Sequence, residues 1–189
     1  MKKLLTLLLA ILIITTIFAQ KRDITLDDLW QNYTFYPSYI GGFNSMNDGE
    51  YYSTIEKTEK GQEIIKHQFK DGKKVRTLFS SADFDIQRIN NYTFSDDEKQ
   101  LLLSTETEKI YRHSSKSAYY IYNVFTDKLK KLTDDKVMYA TFSPNGEKVA
   151  YVFDNNLYIK NIRSEKITQV TTDGKKNHII NGASDWVYE

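Results

Sequence analysis

The chain has no cysteine, two prolines, eight glycines and three histidines among 189 residues. Without cysteine there is no disulfide framework, no thiolate nucleophile and no cysteine–zinc site. Pro37 and Pro144 are too few to make a Pro-rich linker, and no low-complexity run divides the chain. No charge of one sign prevails: 26 basic residues mix with 25 acidic ones for a net charge of +1. That balance favours neither nucleic acid nor an anionic membrane surface as a partner. His67, His113 and His178 lie far apart with no metal-ligand spacing, so each reads as a surface or strand residue. No metal or other cofactor is expected. There is no Gly-x-Ser-x-Gly elbow. Gly41-Gly42 and Asp71-Gly72 are isolated turns, not a phosphate-binding loop, and the carboxylates scatter over turns, where Asp and Glu serve turn chemistry. No catalytic residue is assigned.

Long apolar runs are also scarce. The one present, Leu4 to Phe18, is interrupted only by Thr6, Thr15 and Thr16 and follows Lys2 and Lys3. With the small residue Ala19 before Gln20, residues 1–19 read as a secretory signal peptide. The run is shorter than the roughly 20 residues of a spanning helix. An uncleaved membrane anchor is the alternative. In both cases the body of the protein is expected outside the cytoplasm, in the periplasm or the extracellular space. Cleavage would leave 170 residues, enough for a core of their own.

Aromatic residues are plentiful at 14%, mostly Tyr, which suits pleated, half-buried strands. The clearest unit runs from Ala140 to Gly174. In Phe142-Ser143-Pro144-Asn145-Gly146-Glu147, Pro144 fixes φ and Asn145-Gly146 supplies the positive φ of a hairpin. Val149, Tyr151 and Phe153 then alternate with smaller or polar neighbours, a strand signature. Asp154-Asn155-Asn156 and Arg163-Ser164-Glu165 are turns around a strand with Leu157, Ile159 and Ile162; Ile167 and Val170 mark the last strand. No gap has room for a helix.

The unit recurs. Phe94-Ser95-Asp96-Asp97-Glu98 opens Gln100–Thr105, followed by Tyr119–Val124 and Lys128–Leu132. Asn47-Asp48-Gly49-Glu50 opens Tyr51–Ile55, followed by Glu63–Lys70 and Lys74–Leu78. Phe94 and Phe142 are 48 positions apart; Gly49 and Gly146 are 97 apart. Four strands per period of about this length predict an all-β fold of β-propeller blades, about three and a half of them over residues 44–189. An ordinary sandwich is the competing reading. Residues 20–43 read as a leader in which Thr25 caps a short helix and Leu26, Leu29 and Trp30 share a face that would pack on the blades. Three blades do not close a ring, so the chain is expected to be a truncated propeller.

The second unit departs from the period. Leu132 and Val170 are only 38 apart, so about ten extra residues stand between its second and third strands, ETEKIYRHSSKS. An insertion here predicts a hairpin projecting from the blade and presenting Tyr111, Arg112 and His113, since loops on rigid scaffolds carry function. Composition alone reads the same stretch as a solvated, charged loop.

Asp185-Trp186-Val187-Tyr188-Glu189 resembles the Asp-Trp-Val-Tyr-Glu-Glu-Glu motif of the dipeptidyl peptidase IV family, and Tyr111-Arg112-His113-Ser114 resembles its Trp-Arg-His-Ser segment. Between them Tyr119-Tyr120-Ile121-Tyr122, Lys148-Val149-Ala150-Tyr151-Val152, Asn155-Asn156-Leu157-Tyr158-Ile159 and Ile179-Ile180-Asn181-Gly182 match in order. The resemblance implies an eight-bladed propeller followed by a C-terminal α/β-hydrolase domain of the same chain, absent here, with a Ser-Asp-His triad. The activity implied is release of N-terminal Xaa-Pro or Xaa-Ala dipeptides from peptide substrates with a free N-terminus. A homodimer of the full-length protein is compatible with it. It also implies that Arg112 binds substrate through the carbonyl of its first residue, and that an acidic run beginning at Glu189 lies by the substrate's amino group. The two gripping acids would follow Glu189, which is itself at best their neighbour. A non-catalytic periplasmic propeller that binds a protein partner is the alternative, and a related oligopeptidase is a third reading.

Overall fold

The computed structural model describes residues 22–37, 43–185 and 187–188. The signal-peptide reading, Trp186 and Glu189 lie outside the described residues.

Among the described residues twelve strands form three four-stranded antiparallel sheets, each a simple meander in chain order. Blade one contains β1 (Asn44–Ser45), β2 (Tyr51–Thr58), β3 (Gly61–Gln68) and β4 (Lys74–Ser80). Blade two contains β5 (Ile89–Phe94), β6 (Gln100–Lys109), β7 (Ser115–Asn123) and β8 (Lys128–Lys131). Blade three contains β9 (Met138–Phe142), β10 (Lys148–Phe153), β11 (Asn156–Asn161) and β12 (Ile167–Gln169). These are the blades expected from the 48-residue period. The meander has a consequence for function. Turns between first and second, and third and fourth, strands fall on one face of the arc. The second-to-third hairpins and the connectors between blades fall on the other.

The repeat is visible in the opening turns. Gly49, Glu98 and Gly146 have φ of +70°, +55° and +68°. Their amides donate to the carbonyls of Met46, Ser95 and Ser143 at 3.1, 2.8 and 2.8 Å. The preceding Asp48, Asp97 and Asn145 each use Oδ1 to accept the N–H of the second residue on: Glu50, Lys99 and Glu147. An Asx side chain followed by a left-handed residue is the repeated device. Glu98 takes the left-handed conformation at a cost of about 1–2 kcal/mol against glycine. Its side chain is used, however: Oε1 accepts the Asn47 N–H at 2.6 Å, joining the turns of blades one and two. Gln100 Nε2 makes the corresponding link to blade three by donating to the Gly146 carbonyl at 2.9 Å.

Blade two is sandwiched, and its apolar run shows how. Leu101 and Leu103 point to one side of β6, where they pack with Ile64, Leu78 and Phe79 of blade one. Leu102 points to the other and joins Ile121, Val137, Val149 and Tyr151 toward blade three. A continuous apolar strand is what burial on both faces requires. Each such side chain contributes about 1.5–3 kcal/mol on burial. Polar pairs lie between blades as well: the Ser53 and Tyr92 hydroxyls meet at 2.7 Å in the buried seam. The Tyr122 phenol is pushed up by burial and by donating to Asp127 Oδ1 at 2.6 Å.

After β12 the chain crosses the start of β11. Asn156 Oδ1 accepts the Gly174 N–H at 3.0 Å and the Thr171 hydroxyl at 3.1 Å. A β-carbon on Gly174 would meet the Asn155 carbonyl oxygen at 2.4 Å. Gly174→Ala is therefore expected to cost about 1–3 kcal/mol. Thermal melting checks it, and an unchanged midpoint would show that this crossing is not tightly packed.

The leader segment is described by itself. Helix α1 (Leu26–Trp30) begins with a capping box: Thr25 Oγ1 accepts the Asp28 N–H, and Asp28 Oδ2 accepts the Thr25 N–H. That backbone bond, reinforced by Arg22, lowers the Asp28 carboxyl to about 2.

Candidate functional site

The extra residues of blade two build the projection expected of them, but most of it is strand. β6 runs on to Lys109 and β7 starts at Ser115, with Glu108 opposite Lys116 and Lys109 opposite Ser115. The pairing slips by one residue after Thr105. Glu106 takes up the slip at φ +48°. A bulge of this kind bends the ribbon and re-aims its tip. At the tip the Ile110 and Tyr111 amides donate to the Ser114 carbonyl at 3.0 and 3.3 Å. Ser114 is buried while Tyr111, Arg112 and His113 are exposed. The Arg112 guanidinium has no hydrogen-bond or ion-pair partner among the described residues.

The base of the hairpin is fixed from both sides. The Thr107 N–H donates to Asn90 Oδ1 at 3.3 Å, from the neighbouring strand β5. On the other side Ser117 and Val137 exchange two backbone hydrogen bonds of 2.9 Å, tying β7 to the connector before blade three. The Thr107 and Ser117 hydroxyls meet across the ribbon at 2.8 Å. A charged cluster lies just above. Lys136 Nζ is 2.7 Å from Glu108 Oε1 and 3.4 Å from Glu106 Oε2, and Lys116 Nζ is 3.1 Å from Glu108 Oε2.

Hydrogen bonding and attraction from Lys136, then from Lys116, hold the Glu108 carboxyl below the usual glutamate range. A carboxyl depressed in the folded state stabilises it fully above its unfolded value, and that contribution is lost as pH falls through the lowered value. Hairpin amides 107–114 are therefore expected to exchange faster, relative to the blade strands, below roughly pH 4. Comparative hydrogen exchange at pH 3 and pH 6, corrected for intrinsic rates, checks this; equal protection at the two would count against the ion pairs.

Beside the tip lies an open cleft of about 420 Å³. Ile110, Tyr111, Ser114 and Lys116 form one wall; Met138, Val152, Asp154, Asn155 and Ile180 contribute to the other. Its lining mixes apolar surface with both charge signs, which suits a peptide end better than a purely apolar ligand. Of the two expected substrate-binding residues, Arg112 stands at the exposed tip. Glu189 is outside the described residues. His67 belongs elsewhere, stacked on Tyr52 with Nε2 2.7 Å from Glu56 in blade one. Among the described residues no group of three or more His, Asp or Glu could hold a metal ion. The Lys136 cluster is invisible in the sequence, because Lys136 and Glu108 are 28 positions apart and meet only once the ribbon folds beside the connector.

Comparison with known proteins gives a consistent picture. Residues 95–189 match the family described as the dipeptidyl peptidase IV (DPP IV) N-terminal region. The crystal structure of Porphyromonas gingivalis dipeptidyl peptidase 4 superposes with a TM-score of 0.76 at 39% identity, covering 89% of this chain and 24% of that one. The human prolyl endopeptidase FAP is 28% identical over 174 residues, which is 89% of this chain and 21% of the relative. Cat dipeptidyl peptidase 4 is 38% identical over 105 residues, 53% of this chain and 14% of the relative. The chain thus spans about a fifth or less of the length of these curated relatives. With half of the chain matched by the family and the blades superposed on a member's structure, the chain belongs to the dipeptidyl peptidase IV family, as part of its N-terminal β-propeller.

Proposed function

We propose that this chain is the propeller part of an exported serine-type dipeptidyl peptidase, and that it receives and positions the peptide N-terminus. The observation that carries the reading is the hairpin of blade two, which holds Arg112 at an exposed tip beside a cleft. Cleavage is assigned to a hydrolase domain of the full-length protein. The sequence holds no Gly-x-Ser-x-Gly elbow of the kind that presents a serine nucleophile in such a domain.

The division of labour follows from the chemistry of a peptide end. A guanidinium presents several donors in a fixed plane, so Arg112 can grip the carbonyl of the first residue and hold the scissile bond in register. The terminal amine has a pKa near 7.7–8.0 and is largely cationic at neutral pH. Carboxylates of the run that starts at Glu189 would hold it and thereby measure two residues from the end. This fits N-terminal Xaa-Pro or Xaa-Ala dipeptides as products. One relative is named a prolyl endopeptidase, which keeps cleavage within a chain as the second reading.

The test is the full-length gene product. It is expected to release the chromophore from a Gly-Pro anilide and to be labelled and inactivated by a serine-directed fluorophosphonate. Absence of both would leave the chain as a binding propeller.

A further inference from the structure

Arg112 is at the end of a two-stranded ribbon that stands beyond its blade. A ribbon of this kind is marginal by itself in water. Something must set the direction of the tip. Backbone bonds between Ser117 and Val137, with the Thr107 N–H donating to Asn90 Oδ1, secure the base at the level of the bulge at Glu106. Among the described residues, Lys136 is the cation from outside the ribbon that ion-pairs with it: its ammonium reaches Glu106 and Glu108, one on the bulge and one past it. Glu108 is shared with Lys116 of the opposing strand, so both strands are drawn into the cluster.

Isolated surface ion pairs contribute little. This one differs in two respects. Lys136 is only 26% exposed, so its own charge is partly withdrawn from solvent, while Glu106 and Glu108 are 65% and 50% exposed. It also engages two carboxylates and reaches Lys116 through one of them, which makes a network with one geometry. Lys136 precedes Val137, whose backbone is bonded to Ser117 and whose side chain is in the core between blades two and three. The anchor end is therefore rigid, and the ribbon is what would move.

We propose that Lys136 is a positioning residue for Arg112: a strut from the connector between blades two and three that fixes the bulged ribbon and so the place of the guanidinium. This rests on the substrate-binding assignment of Arg112. In the full-length protein, Lys136→Met is expected to raise KM for a Gly-Pro anilide several-fold with little change in kcat. Hydrogen exchange at residues 107–114 should rise, while β5 and β10 keep their protection. Lys136→Arg should restore most of both, because it keeps the charge. In an Arg112→Ala background, Lys136→Met should have no further effect on KM, since the group it positions is gone.

The outcomes separate cleanly. Unchanged ribbon exchange in Lys136→Met overturns the strut. An effect on KM that simply adds to that of Arg112→Ala overturns its action through Arg112. If Arg112→Ala leaves the kinetics untouched, the substrate-binding assignment fails, and with it the positioning role. The exchange data then stand as evidence only for how the ribbon is held.

Discussion

Arg112→Ala in the full-length protein is expected to lower kcat/KM for a Gly-Pro anilide by roughly 10- to 100-fold. A hydrogen bond from a charged donor contributes about 1.5–3 kcal/mol, and each 1.36 kcal/mol is a factor of ten. Stability should be nearly unchanged. The side chain is exposed, and the tip is closed by backbone bonds to Ser114 that do not involve it. Arg112→Lys keeps the charge but loses the planar fork, so it should fall between wild type and alanine. Steady-state kinetics together with a melting curve separate the two effects. Wild-type kinetics in the alanine variant would remove Arg112 from the site.

Leu101→Ala should strongly destabilise the blades. Leu101 is fully buried in the seam shared by blades one and two. Removing a buried leucine to alanine costs about 2–5 kcal/mol, because a cavity is left where neighbours cannot follow. Here the neighbours are on two sheets, each held by its own ladder, which limits collapse. Leu102→Ala should cost a similar amount by a different route, since Leu102 faces blade three. Hydrogen exchange distinguishes them. Leu101→Ala should loosen β3 and β4, and Leu102→Ala should loosen β9 and β10. A loss below about 1 kcal/mol, or the same exchange pattern in both variants, would contradict a blade packed on two faces.

Much of this architecture could be read from the residues because the turns repeat their chemistry. Asp48, Asp97 and Asn145 sit at one position of the unit, each followed by a left-handed residue. Spacing alone recovers three blades from that. That the run Leu101-Leu102-Leu103 is buried on both faces is plain only once blades one and three stand on either side of it. The reach of β6 was less legible. Glu106 breaks the alternation and takes a positive φ, so the residues after it look like loop while they pair as strand. Arg112 could be singled out through Tyr111-Arg112-His113-Ser114, since by composition the stretch is only polar and charged. Lys136 left no local trace, because its partners Glu106 and Glu108 belong to another part of the period and are brought to it by the ribbon's fold.

The most direct measurement compares two substrates that differ only at the amino end. The full-length protein is assayed on a Gly-Pro anilide with a free amine and on its N-acetylated counterpart. If the propeller holds the peptide terminus as proposed, the free amine is hydrolysed and the acetylated substrate is cleaved at least roughly 100-fold more slowly, the loss of about 3 kcal/mol of charge-assisted hydrogen bonding. Equal cleavage of the two would show that the amine is not recognised, and would contradict the account.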